Sequence, residues 1–289
     1  MDENLIFDIS SLDSALDTLS SYLDLNRNQI AEYIINNKDE YCAEVFLKKF
    51  GIKEESILRD KIMLVALHAT FNDDDCKAIK DNGLLNLQEA LTEDTSLKRF
   101  LNKYDIRFDI RKKILFYKDK KIYLESKPSG YLLQSRREKI ISNIYRKLYG
   151  DYQINAFLHI DNALEYDGFN YMRPEFLQNL ACLPGLSDIE IEWEDLHKPY
   201  IIKFKSSLVD YEDFTFLDGE EHNLYGKEHK YLLILKSLIT KALHAINSIF
   251  HYYSKSEFVA YLLKNCKVEP LNIIKIYNEE EYLGELSDF

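Results

Sequence analysis

A histidine and a threonine close the first strongly apolar stretch of this chain, and their side chains are well placed to bind a ligand. The stretch runs from Lys61 to Thr70 and reads KIMLVALHAT, which indicates a buried strand ending at His68. An imidazole and a hydroxyl at the end of a strand can hydrogen-bond the ribose or the amide of a ligand. Both could instead be structural, with His68 satisfied by backbone groups and Thr70 capping a helix that starts near Asp73.

A second polar group lies near the middle of the chain, where Arg173 and Glu175 flank Pro174. The arginine is a candidate phosphate ligand, and the glutamate is a candidate acid. The same three residues are also typical of a helix start, with proline in the first turn and an acid near the positive end of the helix dipole.

The charged residues are distributed unevenly along the sequence. Residues 98–147 hold 16 Lys or Arg and 5 Asp or Glu, a local charge of +11 in a protein of net charge −12. Such a basic band is a plausible contact for nucleic acid or for phosphates, or it pairs with the acidic remainder. The candidate nucleic-acid-binding residues are Arg111, Lys112, Lys113, Arg136, Arg137 and Lys139.

The hydrophobic patterns predict an α+β protein with a helical N-terminal module and a larger mixed domain. Residues 1–60 carry helical spacing, and residues 61–289 mix predicted strands and helices. Residues 113–124 predict a β-hairpin that turns at 118–120, and residues 231–250 predict a core-facing amphipathic helix interrupted by charges. We therefore expect no membrane-spanning segment and no membrane partner.

Several classes of protein are excluded by missing motifs. The four cysteines have no paired spacing, which argues against zinc and disulfides and favours a reducing cytoplasm. Glycine-rich nucleotide-binding loops and hydrolase motifs are absent from the sequence. We expect no metal cofactor.

Two stretches resemble the ADP-ribosyltransferase fold, in the branch that includes PARP-like enzymes and DarT-like toxins. The first is residues 61–90, where the matching residues are His68, Thr70, Ile79, Gly83 and Leu84. The second is residues 255–277, where an acidic residue opens an apolar stretch and a Val-x-Pro-x-x-Ile-x-x-Ile pattern follows; Glu257 takes the position of the acid.

The resemblance implies a split-sheet fold that uses NAD as a substrate, with residues 61–289 forming the catalytic domain. It implies that Glu257 and His68 are catalytic, and that His68, Thr70, Tyr166 and Arg173 bind NAD. Tyr171 is an equal candidate for the aromatic position. Glu257 could instead be an ordinary glutamate at a helix start.

The predicted function is therefore NAD-dependent ADP-ribosylation of nucleic acid or protein by a cytoplasmic bacterial toxin or anti-phage effector. Residues 1–60 would then bind an antitoxin or a regulatory partner. Two alternatives stay open: a non-catalytic interaction protein, such as an antitoxin, phage-defence sensor or scaffold, and a nucleic-acid-binding protein that uses the basic band.

Overall fold

The protein is an α+β structure, as the sequence predicts. The computed structural model describes residues 5–37, 41–125, 135–166, 173–217, 226–251 and 256–287. Within these ranges no helix is long and apolar enough to cross a membrane.

The strands and helices alternate irregularly along the chain. The strands are β1 (Leu5–Phe7), β2 (Ile62–Asn72), β3 (Ile106–Asp109), β4 (Ile114–Tyr117), β5 (Lys120–Tyr123), β6 (Asn155–Ile160), β7 (Lys198–Ser207), β8 (Glu257–Tyr261) and β9 (Ile273–Asn278). The helices are α1 (Leu12–Leu23), α2 (Arg27–Asn36), α3 (Ala43–Phe50), α4 (Lys77–Asn82), α5 (Leu87–Ala90), α6 (Ser96–Lys103), α7 (Arg136–Tyr149), α8 (Glu175–Ala181), α9 (Ile189–Leu196), α10 (Lys227–His251) and α11 (Glu279–Ser287).

The chain divides into two compact units, and each is assembled from three separate segments. The first unit comprises residues 1–68, 155–163 and 203–263, and the second comprises residues 69–154, 164–202 and 264–289. The main sheet has the strand order β8-β6-β2-β7-β9, with β1 also paired to β2. Strands β2 and β7 each run from one unit into the other.

The first unit combines the predicted N-terminal helices with strands from later in the sequence. Helix α1 begins after Ser11, whose hydroxyl accepts the backbone N–H of Ser14. Helices α1, α2 and α3 pack against α10, and β1 pairs with the start of β2 in parallel. The compact units thus do not follow the predicted boundary at residue 60, because the apolar faces of α1–α3 are covered by a helix that begins at residue 227.

The second unit contains a separate three-stranded antiparallel sheet in the order β3-β4-β5. One face of this sheet packs with helices α6 to α9 around a core of fully buried residues, which include Phe100, Leu115, Phe176 and Trp193. The predicted hairpin is present, and Lys118 makes its turn with φ of 53°.

Local structure differs from the prediction where polar residues interrupt the periodic pattern. Residues 86–103 form two helices, α5 and α6, because Thr95 accepts the N–H of Lys98 and starts a new helix. Strand β2 continues four residues past His68, and the helix that follows starts at Lys77 rather than near Asp73.

Candidate functional site

His68 is held by a strand that neighbours its own. Its Nδ1 lies 2.7 Å from the carbonyl oxygen of Asn155, the first residue of β6. Because a carbonyl can only accept, Nδ1 carries the proton and Nε2 is left as an acceptor. Burial lowers the pKa of His68 below its usual value. The side chain is therefore a neutral imidazole whose second nitrogen can accept a hydrogen bond from a ligand hydroxyl or amide.

Glu257 is the first residue of β8, where it pairs with Ile160 at the end of β6. The residue is exposed. The glutamate therefore opens a strand, which departs from the alternative that it is an ordinary residue at a helix start. A shift in the pairing register between Phe157 and His159 separates this end of the ladder from the rest.

The register separates His68 from Glu257, although both lie in the first unit and on strands that flank β6. Leu67 pairs with Phe157, so His68 is level with Ala156, whereas Glu257 is level with Ile160. Ordinary strand spacings put the two Cα atoms roughly 16 Å apart. Alternation along β8 also puts Glu257 on the opposite face of the sheet from Ala260, which is level with His68, so the two side chains do not form a direct catalytic pair.

The other predicted NAD-binding residues belong to the second unit. Thr70 is half-buried in β2, two residues beyond His68, and it is not a helix cap because the strand continues to Asn72. Tyr166 is half-buried in a turn after β6. Tyr171 lies outside the described residues.

Arg173 binds two carboxylates of the protein itself. Its Nε contacts Glu190, and its Nη1 lies 3.2 Å from Glu194, both on α9. Because these partners already neutralise the guanidinium, a phosphate would have to displace both of them. The described geometry makes Arg173 a link from the start of α8 to α9 rather than an open anion site. Glu175 is also engaged, in an ion pair with Lys147.

The two stretches that carry the family resemblance meet within the second unit. Leu84 and Val268 form an isolated antiparallel bridge, with each backbone N–H 3.0 Å from the other residue's carbonyl. Gly83 has φ of 81° and ψ of −170°, a conformation that is almost exclusive to glycine. A Cβ at Gly83 would lie 1.8 Å from the oxygen of Val268, so only glycine allows this approach.

The predicted nucleic-acid-binding residues fall into two groups. Lys112 pairs with Asp109 at 3.3 Å, and Lys113 lies 5.2 Å from the ring centres of both Tyr145 and Tyr149. These two lysines therefore have partners within the protein. The remaining four are exposed or half-buried in the second unit: Arg111, Arg136, Arg137 and Lys139.

The sequence analysis did not identify a buried network of polar side chains in the second unit. Ser96 Oγ donates to Asp73 at 2.6 Å and lies 3.0 Å from Nε2 of His197, whose Nδ1 donates to the carbonyl of Trp193. The residue types suggest a hydrolase triad, but Ser96 is only 4% exposed and cannot reach a substrate. The network instead links α6 to α9. In the sequence, only the spacing of Trp193 and His197 by one helical turn indicates it.

No protein-family model, curated protein or solved structure matches this chain. Its function therefore has to be inferred from its own residues. Within the described ranges, no three His, Cys, Asp or Glu side chains are grouped as metal ligands.

Proposed function

We propose that this protein is an NAD-dependent ADP-ribosyltransferase, and that a bacterial toxin or anti-phage effector is its setting. The observation that carries the proposal is the bridge between Leu84 and Val268. It joins two stretches that resemble the same fold and that are separated by more than 160 residues of sequence. Gly83, a residue of the resemblance, is the residue that the close approach requires.

The chemistry of His68 supports the proposal further. A neutral imidazole with Nδ1 bound to the carbonyl of Asn155 presents Nε2 as an acceptor, which suits the hydroxyls of a ribose or the amide of nicotinamide. The lowered pKa keeps this acceptor unprotonated at neutral pH. A protonated histidine would offer only donors.

By the resemblance, Glu257 hydrogen-bonds the 2′-hydroxyl of the nicotinamide ribose and stabilises positive charge on the sugar as nicotinamide leaves. An acceptor group then bonds to the anomeric carbon. A carboxylate near developing positive charge suits that role. Because His68 lies roughly 16 Å away and on the opposite face of the sheet, NAD would have to pass around the edge strand β8 to contact both residues.

The decisive experiment is release of nicotinamide from NAD by the purified full-length chain, with single-stranded DNA, RNA and protein tested as acceptors. We expect Glu257→Gln to reduce the rate at saturating NAD about 100-fold or more, since it removes the charge that acts in the transition state. We expect His68→Ala to act chiefly by raising the KM for NAD.

Glu32→Gln is the matched control, because Glu32 is an exposed glutamate on α2 and the substitution makes the same chemical change. It should leave the rate unchanged. Absence of nicotinamide release with every acceptor, or equal rates for Glu257→Gln and the wild type, would eliminate the proposed activity.

A further inference from the structure

The three-stranded sheet β3-β4-β5 has one face in the core and an opposite face that is partly open. Alternation along each strand sends Ile106, Leu115, Tyr117 and Ile122 into the core, where each is less than 10% exposed. The opposite side chains face away from that core. One of them, Ile114, is only 3% exposed, and the others define the open part of this face.

The open face carries cations on either side of an aromatic ring. Arg107 pairs with Phe116 across β3 and β4, and Phe116 pairs with Lys121 across β4 and β5, so the three form one row. Phe116 is half-buried, and both cations are exposed. Tyr123, two residues beyond Lys121, is 62% exposed, and the Lys121 ammonium lies 5.1 Å from its ring centre. We call these four residues the stacking face.

The charge of the stacking face is not neutralised within the described part of the chain. Neither Arg107 nor Lys121 forms an ion pair among the residues that the structure describes. The one acid on the same side, Asp109, is already bound by Lys112 through its ammonium and its backbone N–H. With respect to the described residues, the surface thus presents unpaired positive charge together with ring faces.

The cationic surface continues beyond the edge strand β3. A half-open cavity of about 310 Å³ lies there, and Lys98 and Arg107 are the charged residues that line it. Lys98 donates to the carbonyl of Thr92, which holds its ammonium at the cavity. Arg107 therefore belongs to the stacking face and also lines the cavity.

We propose that the stacking face binds a single strand of nucleic acid. A half-buried and an exposed aromatic ring, both flanked by cations, suit a polyanion with unstacked bases. About two bases would lie on Phe116 and Tyr123, and phosphates would lie on Arg107 and Lys121. Charged residues that only protect a sheet edge need no exposed aromatic rings beside them. The bases of a duplex are already stacked on each other, so they are not available to stack on these rings.

The test is fluorescence anisotropy of the full chain with a labelled 12-nucleotide dT strand. We expect Tyr123→Ala to weaken binding by a factor of roughly 5 to 140, the range for loss of one stacked base, and Tyr123→Phe to keep it. Arg107→Ala/Lys121→Ala should weaken binding and should reduce the salt slope by about 1.4, which corresponds to two phosphate contacts on a single strand. A 12-nucleotide U strand should bind equally, because the face offers no dedicated partner for a 2′-hydroxyl.

Lys48→Ala/Lys49→Ala is the matched control, since it removes two exposed cations from α3 in the first unit. It should leave binding and salt slope unchanged. No binding of the dT strand, equal or tighter binding of a dT–dA duplex or of polyglutamate, or an unaltered affinity of Tyr123→Ala would each overturn the proposal. This outcome is independent of NAD turnover, because the assay contains no NAD.

Discussion

Replacement of Gly83 by alanine tests whether the bridge between Leu84 and Val268 is as close as the structure describes. An added Cβ would lie 1.8 Å from the oxygen and 2.9 Å from the carbon of the Val268 carbonyl, and both belong to backbone that cannot rotate away. The substituted chain must therefore part at the bridge.

Two contributions set the size of the effect. The backbone conformation of Gly83 costs a non-glycine residue about 1–3 kcal/mol. Separation of Leu84 from Val268 breaks two backbone hydrogen bonds, which contribute about 1 kcal/mol each. The free energy of unfolding should therefore fall by about 3–5 kcal/mol.

Gly185→Ala is the matched control, because Gly185 lies in the same unit and has nearly the same φ, 84° against 81°. The atoms nearest to its added Cβ belong to side chains rather than to backbone, the hydroxyl of Tyr117 at 3.1 Å and the ammonium of Lys118 at 3.7 Å. This substitution should cost only the backbone contribution, about 1–2 kcal/mol.

The assay is urea-induced unfolding followed by the fluorescence of Trp193, the only tryptophan in the sequence, which is buried in the same unit. We expect Gly83→Ala to be less stable than Gly185→Ala by about 2–3 kcal/mol. Equal stability of the two variants would refute the close approach, and with it the observation on which the proposed function rests.

Two further predictions concern ionisable side chains in the folded protein. Arg173→Met should lower the free energy of unfolding by about 2 kcal/mol, because it leaves two carboxylates near each other without their cation. A double-mutant cycle with Glu190→Gln, measured by urea unfolding, should give a clear coupling energy. Additive effects of the two substitutions would contradict the ion pair. The free energy of unfolding should also fall as the pH drops from 7 to 5. Burial lowers the pKa of His159 and of His197 in the folded protein. Below about pH 6.5 the unfolded chain therefore binds more protons than the folded one, which favours unfolding. Urea midpoints at several pH values measure this slope, which should decrease in His159→Gln, and stability that rises toward pH 5 would show the sign to be wrong.

Patterns that repeat over a few residues were sufficient to predict much of the fold. The long helix α10 and the β4–β5 hairpin follow from apolar spacing and from a turn of charged residues, which are local properties of the chain. Strands β1 and β3 were not predicted, because three or four residues carry too little periodicity and the pairing partner is what makes them strands.

The candidate site was less accessible from the sequence, because its geometry depends on distant backbone. The partner of His68 is a backbone carbonyl 87 residues away, and the side chain of Asn155 does not indicate this contact. Arg173 has an unremarkable helix-start context, and its role depends on the placement of α9. The separation of His68 from Glu257 follows from strand register, which the individual strand patterns do not encode.

The interleaved segments of the two units also constrain the order in which the chain can fold. The first unit needs residues up to 263, and the second needs residues from 264 onward. Any single cut between residues 70 and 262 therefore separates essential segments of both units. During synthesis neither unit can be completed until most of the chain has left the ribosome. The protein therefore cannot fold domain by domain from its N-terminus.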